Sequence, residues 1–158
     1  HVGINVPPEI LGRGGLEYVA RKSNLVDVCK QIILEIIERG FPDRLGLEEL
    51  RGLIKEHRLV AMDDLNLDER NFIVLSRQPV PIIKFDKDFV ENLTRSNGKG
   101  LDQIAAFIRL RGHYVVAEGV ETPEQERLLR DAGVQFAQGW LYSKSLSAED
   151  FRAFCISG

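Results

Sequence analysis

His113-Tyr-Val-Val-Ala-Glu-Gly-Val-Glu-Thr-Pro-Glu-Gln-Glu126 is the stretch whose reading decides the fold. Tyr114 to Ala117 is a short apolar run of strand character, and Glu118 follows directly at its end. A turn containing Gly119 leads to Thr122-Pro123-Glu124-Gln125, which reads as a helix start. Threonine stands as the N-cap, proline takes the first helical position and glutamine lies three residues after the cap. A buried strand thus delivers Glu118 and Glu121 into a loop just ahead of a helix. In parallel α/β proteins, sites are built at that place.

The same unit recurs on both sides. Apolar strand candidates begin near residues 2, 32, 59, 82, 114 and 136, and the last is expected within Val134 to Tyr142 with Gln138-Gly139 inside it. Helical spacing or capping marks Leu47 to Lys55, Phe89 to Leu93, Leu101 to Leu110 and Glu124 to Asp131, and Ser147 caps a final helix. Residues 9 to 23 form a weaker helix candidate, interrupted by Gly12, Gly14 and Gly15. Alternation at this spacing predicts βα units and a parallel sheet. The strands are apolar nearly throughout, as expected when both faces are covered. Six such units suit either an open doubly wound sheet or most of an eight-stranded barrel.

At 158 residues the chain is expected to be one domain spanning 1–158, able to bury its own core. A net charge of −3 with interspersed signs excludes the electrostatic footprint of a duplex nucleic-acid or anionic-membrane binder. No apolar run approaches the ~20 residues that span a bilayer. Cys29 and Cys155 lack metal-ligand spacing and read as reduced thiols, which points to the cytoplasm.

The informative residues are polar ones lodged in or at the ends of apolar strands: Asn5, Glu35, Asp63, Asp64, Lys84, Glu118 and Gln138. A buried carboxylate without a partner costs several kcal/mol or more, so each must be paired, hydrogen-bonded or metal-bound. In a parallel sheet all the C-terminal strand ends open on one side, so these groups converge. An all-oxygen cluster suits Mg²⁺, Mn²⁺ or Ca²⁺, and a lysine among them suits an anionic substrate or a nucleophilic water. That combination favours a metal-dependent phosphate-ester site. His57 and His113 read as surface or helix-end residues, and Trp140 and Tyr142 as core or sheet-end packing.

Taken in order, these segments resemble the EAL domain of cyclic di-GMP phosphodiesterases. Val115 to Thr122 is similar to the family's V-A-E-G-V-E-T, and Gln138-Gly-Trp-Leu-Tyr-Ser143 to its Q-G-Y-L-F-S. Ile83-Lys84-Phe85-Asp86 resembles L-K-I-D, Met62-Asp63-Asp64 resembles L-D-D, Leu34 to Glu38 resembles L-E-L-T-E, and Ile4-Asn5-Val6 resembles V-N-L. The resemblance implies a TIM-like (β/α) barrel of which about six of eight βα units lie here, the first two strands having no counterpart. It implies two-metal hydrolysis of cyclic di-GMP to linear pGpG, with Mg²⁺ or Mn²⁺ as cofactor and Ca²⁺ inhibitory. Asn5, Glu35, Asp63, Asp64 and Glu118 would bind metal, and Lys84, Glu118 and Glu38 would form the catalytic set. Within that set Lys84 contacts the attacking water and Glu38 steadies the loop after the aspartate pair. Gln138 and Glu121 would complete the water and substrate network. Cyclic di-GMP is the expected partner, alongside a homodimer and sensory or GGDEF domains outside this chain. The E-A-L signature has no counterpart, Pro7 stands where the family has serine, and residues 65 to 71 differ from the family's glycine-containing loop. Those departures make a catalytically silent cyclic di-GMP sensor or protein scaffold the alternative expectation.

Overall fold

The computed structural model describes residues 1–37, 42–63, 80–96 and 98–157. Among the described residues six parallel strands form one sheet: β1 (Val2–Val6), β2 (Ile32–Ile37), β3 (Leu59–Asp63), β4 (Ile82–Phe85), β5 (Tyr114–Ala117) and β6 (Phe136–Ala137). Their spatial order is their sequence order, with no reversal. One-way winding is the topology of a barrel wall, whereas a doubly wound sheet reverses direction at a switch point. Among the described residues β1 and β6 are the two edges of this wall. The helices are α1 (Gly15–Lys22), α2 (Arg44–Lys55), α3 (Lys87–Arg95), α4 (Leu101–Leu110), α5 (Pro123–Asp131) and α6 (Ala148–Ser157).

The register sorts strand residues onto two faces, because neighbouring side chains along a strand point to opposite sides. Leu34 pairs with Val60, Met62 with Ile83, Ile83 with Val115 and Phe85 with Ala117, so all these side chains share one face. They are buried together with Leu50, Val90, Leu101, Ile108 and Leu129 of the helices. Full burial of one such aliphatic or aromatic side chain stabilises the fold by roughly 1.5–3 kcal/mol. The other face carries Asn5 beside Glu35, then Ala61 and Asp63, then Lys84 beside Val116. Nearly every charged strand residue is thereby on one side.

Local chemistry fixes the helix ends. Asp43 accepts the Gly46 amide at 2.9 Å and starts α2 three residues before the apolar spacing does. Asp86 accepts the Phe89 amide at 2.6 Å and starts α3 immediately after β4. At α5 the expected capping box is present: Thr122 accepts the Gln125 amide at 3.2 Å, and Gln125 accepts the Thr122 amide at 3.0 Å. Two expectations change. Residues 9 to 23 divide into a 3₁₀ turn at Pro8–Ile10 and helix α1, separated by Gly12 and Gly14 at φ 79° and 71°. The last strand is Phe136–Ala137 alone, so Gln138 and Gly139 lie beyond it rather than inside it. The Gln138 amide still donates to Ala117, after which Gly139 turns the chain at φ 156°.

Candidate active site

Lys84 is the centre of the site. Its residue is buried in β4, where a lone ammonium would be strongly disfavoured, and three carboxylates surround it. Its Nζ lies 2.9 Å from Glu35 Oε2 and 3.1 Å from Asp63 Oδ1, and it also bonds Glu118 Oε1. The side chain of Lys84 is 5% exposed, while Glu35, Asp63 and Glu118 are 17%, 11% and 21% exposed. Burial works against the lysine charge, but the hydrogen bonds that Lys84 donates to Glu118, Glu35 and Asp63 outweigh it and hold Lys84 above the ordinary lysine range. Burial also raises Glu118 above the usual carboxylate range. Lys84 opposes that rise, and the neighbouring Asp63 and Glu35 charges add to it.

Backbone ladders set these side chains in place. The Glu118 amide donates to Phe85 at 2.9 Å, and the Val120 amide donates to Gln138 at 3.1 Å, so the loop after β5 is held from both sides. Gln138 Nε2 then donates to Glu118 Oε1 at 2.8 Å. Gly3 leaves room for Glu35: a Cβ on Gly3 would come within 2.1 Å of Glu35 Oε1. A Cβ on Gly139 would lie 2.2 Å and 2.3 Å from the Val120 backbone oxygen and nitrogen. The loop after β5 and the chain leaving β6 approach that closely because residue 139 has no side chain.

The structure therefore unites Glu35, Asp63, Lys84, Glu118 and Gln138. Asn5 occupies the register position beside Glu35 on the edge strand and is exposed. Glu121 is turned to another task, pairing with Lys87 at 2.7 Å. Glu38 and Asp64 lie outside the described residues, as does the segment 65–71. Sequence reasoning missed Gly3, whose position inside a strand signals close approach of another group, and Lys87. It also assigned Trp140 and Tyr142 to packing, whereas both are exposed, at 63% and 44%. Gly139 turns the chain out of the sheet before either aromatic residue, so neither reaches the core.

A cleft of about 320 Å³ opens beside Glu118, walled by Lys87, Gly119, Glu121, Gln138, Gly139 and Trp140. A larger cleft of about 490 Å³ lies between α1 and α2, lined by Leu16, Ala20, Leu53 and Arg58 among others. It holds none of the strand-end groups, so the smaller cleft is the one placed for chemistry. Among the described residues no group of three or more His, Cys, Asp or Glu is arranged to hold a metal ion, and Glu35, Asp63 and Glu118 each meet the Lys84 ammonium. The donor set nevertheless fits a hard cation. It is all oxygen, and its three carboxylates outnumber the single ammonium.

Comparison with known proteins gives concordant results. The EAL domain family model matches residues 1–145. The probable cyclic di-GMP phosphodiesterase PdeB of Escherichia coli (strain K12) is 35% identical over 156 residues, which cover 96% of this chain and 30% of that protein. The chain thus spans less than a third of that relative's length. The EAL domain of Mycobacterium smegmatis DcpA superposes with a TM-score of 0.85 at 28% identity, covering 99% of this chain and 73% of that one. The manganese and cyclic di-GMP complex of Klebsiella pneumoniae BlrP1 superposes with a TM-score of 0.76 at 23% identity, over 90% of this chain and 38% of that one, a likeness of fold alone. The six-stranded wall corresponds to part of a TIM-like barrel.

Proposed function

The chain belongs to the EAL domain family, and from that premise we propose that it is a cytoplasmic cyclic di-GMP phosphodiesterase domain. It opens one phosphodiester bond of the ring to give linear pGpG, using Mg²⁺ or Mn²⁺. The observation that carries this reading is the convergence of Glu35, Asp63 and Glu118 on Lys84 at the C-terminal side of a parallel sheet. Glu35, Asp63 and Glu118 would hold the divalent ions, with Asn5 beside Glu35 on the same face. When bound, such ions polarise the phosphate and make water a better nucleophile.

The chain's own groups divide the remaining work. Lys84 keeps its proton at neutral pH and so acts as a charge and a hydrogen-bond donor, not as a base. Its ammonium would orient the attacking water and soften the repulsion between the carboxylates and an anionic ester. Glu118, paired with Lys84 and hydrogen-bonded to Gln138, would ligate the metal or hold the attacking water. Gln138 donates to the same Glu118 oxygen that Lys84 bonds, and Lys87 pairs with Glu121. The phosphorus–oxygen bond to the leaving ribose oxygen breaks as the new one forms, and that oxygen takes up a proton.

The test is to incubate the chain with cyclic di-GMP and Mg²⁺ or Mn²⁺ and resolve the products by chromatography. Linear dinucleotide should appear, vanish with EDTA, and vanish in Glu118→Gln, which keeps the shape of the side chain. Tight binding without product would contradict the phosphodiesterase reading and favour a sensor.

A further inference from the structure

The cleft of about 490 Å³ between α1 and α2 shares no residue with the carboxylate cluster. It opens where strands begin: Cys29 lies just before β2 and Arg58 just before β3, whereas Glu35 and Asp63 stand further along those strands. Its volume falls in the range of small-molecule clefts, roughly 300–1,000 Å³. Leu16 and Ala20 of α1, Val26, and Leu53 of α2 give it an apolar wall. Arg58 also lines it, and among the described residues Arg58 Nε is the one buried side-chain nitrogen or oxygen with no hydrogen-bond partner. A buried donor left unpaired is destabilising, and native chains rarely leave one. Two of the carboxylates in the lining are engaged elsewhere: Glu17 holds Arg21 at 2.7 Å, and Glu49 accepts the Gly12 amide. The third, Glu56, is exposed at the end of α2 and leaves Arg58 Nε unpaired. Gly52 deepens the cleft from within α2. A Cβ there would meet nothing within 4 Å, so no packing demands a glycine, and glycine inside a helix weakens it relative to alanine.

We infer that this cleft binds a small monocarboxylate with an apolar body, its head group on the Arg58 guanidinium and its tail along Leu16, Ala20, Val26 and Leu53. The site is separate from the carboxylate cluster and stands whether or not the chain hydrolyses cyclic di-GMP. A guanidinium takes a carboxylate through two parallel N–H···O bonds, and one of them gives Nε its acceptor. A cationic ligand would meet Arg58 as a like charge. A doubly charged phosphate would be repelled by Glu49 and Glu56, whereas one carboxylate sets a single charge against a single guanidinium. Each further methylene buried along the apolar wall tightens binding roughly fourfold until the wall is covered.

Butanoate, hexanoate, octanoate and decanoate are titrated into the full chain by calorimetry at neutral pH, with octyltrimethylammonium as the cationic control. Affinity should rise several-fold at each step of the series, and the ammonium should bind at least tenfold more weakly than octanoate. Arg58→Met keeps the stem and removes the guanidinium; it should weaken octanoate at least tenfold with unchanged circular dichroism, and Arg58→Lys should fall between it and wild type. Gly52→Leu fills the cleft and should abolish binding in a folded chain. Cys29 and Cys155 are the two thiols, so in a Cys155→Ser background Cys29 reports on the cleft it lines. Saturating octanoate should slow its reaction with a neutral maleimide at least fivefold. Octanoate binding that survives Arg58→Met, or that leaves Cys29 equally reactive, would overturn the inference. So would an ammonium that binds as tightly as octanoate. No binding of any alkanoate would overturn it as well and leave an ordered water as the partner of Arg58.

Discussion

Lys84 remains charged in the interior because three carboxylates hold it, so the lysine and its partners stand or fall together. In Lys84→Met the carboxylates lose their counter-charge, and metal-free protein should be less stable by about 3 kcal/mol at neutral pH in urea titrations. The pH dependence follows from the sign of the shift. A lysine raised on folding stabilises fully below its unfolded value, near 10.5, and that stabilisation is lost as pH climbs towards the folded value. The gap between wild type and Lys84→Met should therefore be constant at neutral pH and narrow above 10.5. A gap that widened there would contradict the assignment. Gly3 acts at the same scale through space. In most strands alanine is no worse than glycine, but here the added methyl would strike the Glu35 carboxylate. Gly3→Ala should cut Mn²⁺ affinity about tenfold with little change in melting temperature, measured by calorimetry and a thermal melt.

At the scale of elements, the loop from Glu118 to Thr122 is fixed by its two neighbours. Below it, α5 is closed by the Thr122–Gln125 box, and the buried Gln125 also accepts the Glu121 amide at 2.8 Å. Thr122→Ala should cost about 1 kcal/mol of stability in denaturant titrations. Beside it, Gly139 lets the chain leaving β6 touch Val120. Gly139→Ala should separate Gln138 from Glu118 and lower kcat at least tenfold while the far-ultraviolet dichroism stays that of wild type. These two elements differ in how legible they were. The Thr-Pro-Glu-Gln signature states the cap within four adjacent residues, so the sequence reveals it. The end of β6 depends on Val120, eighteen residues earlier in the chain than Gln138, and no local pattern in Val134 to Tyr142 announces it. For the same reason Trp140, apolar and next to a strand, read as packing.

Across the whole molecule, the wall of the barrel sorts chemistry from packing by parity. Every strand gives one set of residues to the helices and the alternate set to the opposite face, and the register carries that parity from β1 to β6. The polar residues Asn5, Glu35, Asp63, Lys84, Glu118 and Gln138 were visible in the sequence, and so was their convergence at strand ends. That they share one face was not, because the offset between strands is a matter of register. A single-residue slip would have sent Glu35 into the helices. The same register explains why Lys84 meets three carboxylates, an arrangement that spacing along the chain does not encode. The central claim is that this shared face is a divalent-metal site, and counting bound Mn²⁺ by electron paramagnetic resonance tests it most directly. Wild type should bind Mn²⁺ saturably, and Asp63→Asn should bind at least tenfold more weakly while its circular dichroism stays that of wild type. A folded wild type that leaves all the Mn²⁺ free, or an Asp63→Asn variant that binds as tightly as wild type, would contradict the account.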